Sequence, residues 1–141
     1  MALIDDHFCF ACGKNNPDGL HLKFQYPRPG TCRAEFVPVQ KYQGWHGILH
    51  GGIVSTLLDE ALAHAAGGAE RGGGGSGAVT AELTIRFKKP VKIGSHLVLS
   101  GRVEKDQGRL VEAVSEITDE TGAILASAKG KLVRPLNSNA N

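Results

Sequence analysis

A single segment of this chain has the apolar spacing of a helix, and this constrains the fold more than any other feature. Residues 51–66 carry one apolar stripe at helical spacing, formed by Leu57, Leu58, Ala61, Leu62 and Ala65. The other periodic segments alternate between apolar and polar residues, as strands do. Since one helix cannot alternate with several strands, we predict the α+β class, with a long antiparallel sheet wrapped around one central helix.

Alternation and turn residues predict where the strands lie. Residues 20–26 and 32–36 alternate and indicate a hairpin before the helix. The clearest two-residue period in the chain covers residues 79–88. Further strands are predicted at about 97–103, 109–118 and 123–133, with turns at 106–108 and 119–122.

The 141 residues are expected to form one domain, because a chain of this length can bury a core of its own. Residues 1–19 are predicted to be an N-terminal loop and residues 135–141 a frayed tail. The glycine-rich stretch 67–77 predicts a flexible connector. Its portion Gly72–Gly77 satisfies G-x-G-x-x-G, but a dinucleotide site needs a strand before this pattern and a helix after it. Here that order is reversed.

Composition argues against several kinds of partner. The net charge of +2 is too small to indicate nucleic-acid binding. No apolar run approaches the roughly 20 residues that a membrane-spanning helix needs, and the N-terminus lacks a signal-peptide pattern. Three cysteines are an odd number in a chain that does not need disulfides. We therefore predict a cytoplasmic protein with no nucleic-acid or membrane partner.

A Cys-x-x-Cys pair, Cys9 and Cys12, raises the question of a metal. Structural zinc usually has four protein ligands, and the sequence contains no second pair of this kind. His7, His21 and Cys32 could complete a set only through the accident of folding. From the sequence we predict no metal site.

Asp59 is the residue of the helix that most needs an explanation. Aspartate is a poor helix former, and at helical spacing this one lies among small and polar residues that leave room for a water or a substrate. Glu60 lies about 100° further around the helix, on a face with His64. A glutamate four residues before a histidine is typical of an exposed helix pair, so we choose Asp59 as the candidate catalytic group.

The segment His50-Gly51-Gly52 stands where the helix begins. Backbone N–H groups of a first helical turn have no intrahelical acceptor, and glycine lets a substrate carbonyl approach them closely. Such N–H groups suit an oxyanion site for acyl transfer. Eight residues of helix separate Gly51 from Asp59 by roughly 12 Å of rise. One site would therefore combine the helix start of one subunit with the carboxylate of another.

These segments resemble a known family. The stretch from Gly44 to Ala66, GWHGILHGGIVSTLLDEALAHAA, and the stretch VTAELTIRFKKPVKIGSHL that begins at Val79 are similar to the PaaI-like hotdog thioesterases of the 4-hydroxybenzoyl-CoA thioesterase superfamily. The resemblance covers roughly residues 44–134, with a weaker match in CFACGKNNPDGLHLKF. It implies a hotdog fold, acyl-CoA as substrate, and homodimers, in turn a dimer of dimers, with active sites at the subunit interface.

The resemblance also implies roles for individual residues. Asp59 would activate water or attack the thioester, the Gly51 N–H would polarise the carbonyl, and His50 would shape that end of the site. Thr80 matches a hydroxyl that in some relatives positions the water or the carboxylate from across the interface.

A set of basic residues on or just after the strand could pair with the phosphates of coenzyme A, or could simply form a solvated strand face: Arg86, Lys88 and Lys89. No separate cofactor is implied, since coenzyme A is part of the substrate.

Two other functions fit the same residues less well. A non-catalytic acyl-CoA-binding or sensing module would have the same fold but no use for a carboxylate beside the carbonyl site. A hotdog hydratase or dehydratase would need a His/Glu or Asp/His pair, which we do not find in the segments that those enzymes use.

Overall fold

The structure is a computed structural model, and it describes residues 3–67 and 77–135. Its elements are β1 (Thr31–Phe36), a short 3-10 helix (Gln40–Tyr42), α1 (Gly51–Gly67), β2 (Val79–Phe87), β3 (Leu97–Asp106), β4 (Leu110–Thr118) and β5 (Ile124–Val133). The five strands form one antiparallel sheet in the order β1-β3-β4-β5-β2, with α1 packed on it. The predicted α+β class, with one helix and an antiparallel sheet, is confirmed.

The core lies between α1 and the sheet. The helix contributes Leu57, Leu58 and Leu62, which are inaccessible to solvent. They pack in one apolar cluster that also holds Leu99 of β3, Ile117 of β4 and Leu132 of β5. Burial of each such side chain contributes about 1.5–3 kcal/mol. β3 crosses the helix so closely at Gly101 that a Cβ there would collide with the carbonyl oxygen of Ala61.

The two predicted hairpin turns are present. Gly108 has a φ of 84°, and its N–H donates to the Asp106 carboxylate. In the second turn Gly122 also has a φ of 84°, and Asp119 accepts hydrogen bonds from Thr121. A positive φ is easily adopted only by glycine, which explains why the sequence marks both turns clearly.

The predicted strand at residues 20–26 is wrong. Only an isolated bridge between Gln25 and Arg33 joins this segment to β1. Leu20 and Leu22 are buried, but their N–H groups donate to carbonyls of the N-terminal loop instead of to the sheet. His21, with a φ of 55°, interrupts the extended backbone. The alternation therefore reports burial of a loop against the core.

β2 lies at an edge of the sheet. Within the described ranges it pairs only with β5, and Val79 and Phe87 at its two ends are largely exposed. A nine-residue edge strand with unpaired backbone groups is a ready site for pairing with another strand.

Parts of two predicted segments fall outside the described residues. Nearly all of the 67–77 connector and of the 135–141 tail lies there, so those predictions stay predictions. Residues 3–19 form turns and irregular backbone, with no helix or strand among them.

Candidate active site

The start of α1 is held by His50. Its carbonyl accepts hydrogen bonds from the N–H groups of Ile53 and Val54, and its Nδ1 accepts one from the Gly52 N–H at 2.8 Å. The imidazole thus caps the helix with a ring nitrogen where a serine or aspartate oxygen is more common. A Cβ on Gly52 would lie 3.0 Å from Nδ1 of His50, a tight contact that only a shift of the ring would relieve.

The Gly51 N–H is the donor that this capping leaves over. In the described part of the chain it donates no hydrogen bond, and Gly51 itself is exposed. It lies at the positive end of the helix dipole, where negative charge on an oxygen is stabilised. The geometry therefore fits the predicted role of this residue as an oxyanion donor.

A cavity of about 410 Å³ opens beside Gly51. Its walls are mainly apolar, with Trp45 and Phe87 as the large aromatic members, and Lys88 and Lys89 also line it. The two lysines follow β2 directly, and the backbone N–H group of each donates a hydrogen bond to the carbonyl of Leu125. The cavity thus joins the free N–H to two cationic side chains, within the size range of small-ligand pockets.

Arg86, the third basic residue of the prediction, is exposed on β2 and does not line this cavity. Cross-strand, it lies opposite Ser127 of β5. The structure therefore brings two of the three predicted phosphate contacts to the helix start and leaves the third apart.

Asp59 and Thr80 meet two turns along the helix. Thr80 Oγ1 donates a hydrogen bond of 2.6 Å to Asp59 Oδ1, and both residues are half-buried. The contact lies within one chain, so no second subunit is needed to bring this hydroxyl to the carboxylate.

A β-bulge explains how Thr80 reaches Asp59. The register of β2 on β5 shifts between Thr80 and Glu82, and Thr80 lies opposite the buried Leu132. Leu83 and Ile85 also lie opposite residues of the buried face of β5. The bulge therefore turns Thr80 onto the same face as these residues, although strict alternation would place it on the other face.

The predicted separation of the two half-sites agrees with the contacts. Gly51 faces the ring of Phe87 at one end of β2, while Asp59 is bonded to Thr80 at the other end. A single continuous helix links them, so the roughly 12 Å of rise between Gly51 and Asp59 cannot be closed within one chain.

The interpretation of Glu60 and His64 as an exposed pair is wrong. Their side chains are 14% and 4% exposed, with Glu60 Oε1 3.9 Å from His64 Nε2. The N-terminal loop covers this face of α1, and Cys9 Sγ lies 3.5 Å from Glu60 Oε2. Burial raises the pKa of the Glu60 carboxyl above its usual range, which outweighs the lowering by the Cys9 hydrogen bond.

A larger concavity, of about 600 Å³, lies elsewhere on the molecule. Side chains of β3, β4 and β5 line it, including Ser100, Arg102 and Glu116, and neither Asp59 nor Gly51 belongs to it. Since it contains none of the candidate catalytic groups, we place the site at Gly51 and Asp59.

The profile of the thioesterase superfamily matches residues 46–126. This range holds the candidate catalytic groups, from the helix start through Asp59 and Thr80, and the two lysines. It covers more than half of the chain, and the chain therefore belongs to the thioesterase superfamily.

Two relatives show how this similarity is distributed. The chain is 40% identical over 67 residues to acyl-coenzyme A thioesterase THEM4 of Bos taurus, a match that covers 48% of this chain but 25% of that protein. It is 28% identical over 102 residues to acyl-coenzyme A thioesterase 13 of Homo sapiens, with coverage of 72% and 71%. The chain thus spans a quarter of one relative and most of the other.

Solved structures confirm the hotdog fold. The PaaI protein of E. coli, from the phenylacetic acid degradation operon, superposes with a TM-score of 0.72 at 23% identity, over 82% of this chain and 80% of that one. The chain therefore has the hotdog fold of this solved structure. In the described residues, α1 is too short and too polar to cross a membrane.

Proposed function

We propose that this protein hydrolyses acyl-CoA thioesters to a free acid and coenzyme A. The observation that carries the proposal is the half-buried Asp59 carboxylate, which Thr80 Oγ1 holds at 2.6 Å in a member of the thioesterase superfamily. The names of the THEM4 and thioesterase 13 relatives support acyl-CoA as the substrate class.

The residues divide the reaction between them. The Gly51 N–H would donate to the thioester oxygen as negative charge develops there, and the His50 cap would hold this end of the helix in place. Asp59 would either take a proton from the attacking water, or attack the carbonyl itself to form an acyl-enzyme anhydride that water then hydrolyses to the free acid. The C–S bond then breaks, and the thiolate of coenzyme A leaves and takes up a proton.

Coenzyme A would lie with its phosphates near the end of β2. Lys88 and Lys89 line the cavity beside Gly51 and provide two mobile cations for phosphate groups. Arg86 is further from this cavity, and in our proposal it contributes to the outer part of the nucleotide site.

A homodimer would complete the site. If the exposed edges of two β2 strands pair antiparallel about a two-fold axis near Leu83, the Thr80 end of one strand lies beside the Phe87 end of the other. Because Asp59 accompanies Thr80 and Gly51 accompanies Phe87, this pairing joins Asp59 of one subunit to Gly51 of the partner subunit. Two sites result. We extend this proposal to a dimer of dimers and to a cytoplasmic location, as the sequence indicated.

An acyl-CoA panel tests the proposal directly. Short, long and aromatic acyl-CoAs are incubated with the purified chain, and thiol release is followed with a thiol-reactive dye. We expect turnover of at least one class and, by thermal shift, stabilisation by the poorer substrates and by coenzyme A. The relative rates identify the acyl group.

One outcome would favour the non-catalytic alternative. Acyl-CoAs that raise Tm by ligand linkage, with no thiol release above the uncatalysed rate for any member of the panel, indicate a binding or sensing module. The half-buried Asp59 is the feature that speaks for the enzyme.

A further inference from the structure

A second cluster of reactive side chains lies on the neighbouring face of α1. Cys9 and Cys12 of the N-terminal loop meet Glu60 of the helix, and one ligating atom from each of the three lies within 4.8 Å of the other two. Cys9 is exposed, whereas Cys12 and Glu60 are partly buried. The cluster is thus reachable from solvent on one side, and the proposed reaction does not use it.

The spacing of the atoms suits a tetrahedral metal ion. Zinc binds cysteine sulfur at about 2.3 Å and carboxylate oxygen at about 2.0 Å, so two such ligands on a tetrahedron lie about 3.5 Å apart. Cys9 Sγ and Glu60 Oε2 are 3.5 Å apart. Two thiols and one carboxylate form a donor set that favours zinc over magnesium or calcium.

Backbone hydrogen bonds hold the loop that carries the two thiols in a tight turn. The Ala11 N–H donates to Cys9 Sγ at 3.3 Å, and the Gly13 N–H donates to the Cys9 carbonyl at 2.9 Å. The backbone closes so tightly that a Cβ on Gly13 would collide with the backbone of Cys9. An N–H directed at sulfur stabilises the thiolate form that a metal requires.

Contacts with His64 orient the third ligand, Glu60. Glu60 Oε1 faces His64, so that Oε2 is left for the thiols. The ring of His64 stacks on Phe24 at 4.0 Å, and its Nδ1 is 2.7 Å from the Tyr26 hydroxyl. Groups that fix a ligand in this way typically accompany metal sites.

The Glu60 carboxylate has no lysine or arginine partner in the described ranges. Its polar contacts are with cysteine thiols and with His64, whose Nε2 lies 3.9 Å from Oε1 and is a cation only when protonated. A buried carboxylate normally pairs with a cation or coordinates a metal. A divalent ion would provide that charge.

We propose that Cys9, Cys12 and Glu60 form a binding site for a thiophilic divalent cation of the zinc class, with a fourth position open to water. Binding converts both thiols to thiolates and releases their two protons. With the ionised Glu60, the ligands carry three negative charges against two on the metal. The ion would fasten the N-terminal loop to α1, one residue from Asp59. This inference does not rest on the proposed hydrolysis.

Cobalt titration of the reduced full-length chain tests the site. Cobalt(II) replaces zinc in such sites and reports on thiolate ligands by a charge-transfer band in the near ultraviolet. We expect one ion per chain, with two thiolates bound, and displacement of cobalt by zinc. Cys9→Ser and Cys12→Ser should lose the band, and Glu60→Gln should weaken binding at least tenfold. Cys32→Ser is the matched control, since this thiol is buried elsewhere against the Ala61 carbonyl.

Alkylation of the unaltered chain keeps the test independent of how the variants fold. Zinc should slow modification of Cys9, the exposed thiol, and leave Cys32 unchanged. A chain that shows no thiolate–cobalt band and no zinc protection of Cys9 would overturn the proposal. So would equal binding by wild type, Cys12→Ser and Glu60→Gln, or a Cys9–Cys12 disulfide whose reduction does not restore binding.

Discussion

Asp59 and Glu60 are consecutive residues, yet the fold gives their carboxylates unlike surroundings. Asp59 faces the edge strand β2, where the Thr80 hydroxyl holds it. Glu60 points about 100° away, beneath the N-terminal loop, against two thiols and a buried histidine.

The difference shows that the role of an acidic side chain in a helix depends on what covers it. An open site at a sheet edge leaves space for substrate and water, which suits chemistry. A covered site with soft donors suits a bound cation or a neutral carboxyl. One residue of helix rotation separates the two.

The largest effect is expected from Asp59→Asn. This change keeps the shape and removes the charge, so acyl-CoA turnover should fall roughly 100- to 10,000-fold, as for loss of a general base. Thiol release measures it, and Tm checks the fold. Asp18→Asn, the same change in an exposed loop, serves as control. Retained turnover in Asp59→Asn would show that the Asp59 carboxylate is not the catalytic group, and the functional difference from Glu60 would be wrong.

Gly51→Pro tests the other half of the open site. Proline is well tolerated in the first helical position, where its missing N–H serves no helical hydrogen bond. We expect turnover to fall roughly 100- to 1,000-fold, as for removal of one oxyanion donor, with little change in Tm. Gly51→Ala, which keeps the N–H, should retain far more activity. If both variants lose activity equally, the donor role is wrong.

Mixing the two inactive variants examines whether the open site spans two subunits. In a heterodimer of Asp59→Asn and Gly51→Pro chains, one site has both defects and the other has neither. Random reassortment makes half of the dimers mixed, so about a quarter of wild-type turnover should return. Thiol release after co-refolding measures it. Sites contained within one chain would give no recovery.

Thr80→Val removes the hydroxyl that donates to Asp59. A hydrogen bond to a charged group contributes about 1.5–3 kcal/mol, so turnover should fall roughly 10- to 100-fold. Thr80→Ser keeps the hydroxyl and should remain within a few-fold of wild type. A loss in both variants would indicate that the methyl group matters more than the hydrogen bond.

The smallest effect is expected from a substitution of a third carboxylate, Asp119 on the surface, and it is an effect on stability. The Thr121 hydroxyl, with backbone N–H groups of the turn, lowers the pKa of Asp119 below its ordinary value of 3.8. The charged form of Asp119 is favoured in the folded state. Its contribution to the stability of the fold is therefore fully present above the ordinary pKa and is lost as pH falls through the lowered pKa. Asp119→Asn should therefore lower Tm slightly at pH 7, with the gap closing in acid. A gap that does not change with pH would contradict this.

The sequence predicted most helices and strands well, but it did not predict which segments hydrogen-bond with the loops. Residues 79–87 alternate, and β2 covers them; the helix at 51–66 is one residue longer in the structure. Residues 20–26 also alternate but are not a strand, because a single positive φ at His21 and hydrogen bonds to the N-terminal loop redirect the backbone. Alternation reports which side chains are buried, and it does not identify the partner of the backbone.

By itself, then, the sequence indicated the α+β class with a central helix and an antiparallel sheet, and it set the distance between Gly51 and its candidate catalytic residue, Asp59. These follow from local periodicity and from the fixed rise of a helix. Only the tertiary structure decided that a bulge turns Thr80 toward Asp59 and that Cys9 and Cys12 close over Glu60. Both are contacts between segments at least 20 residues apart along the chain. No local pattern encodes such contacts, because they depend on how whole elements pack.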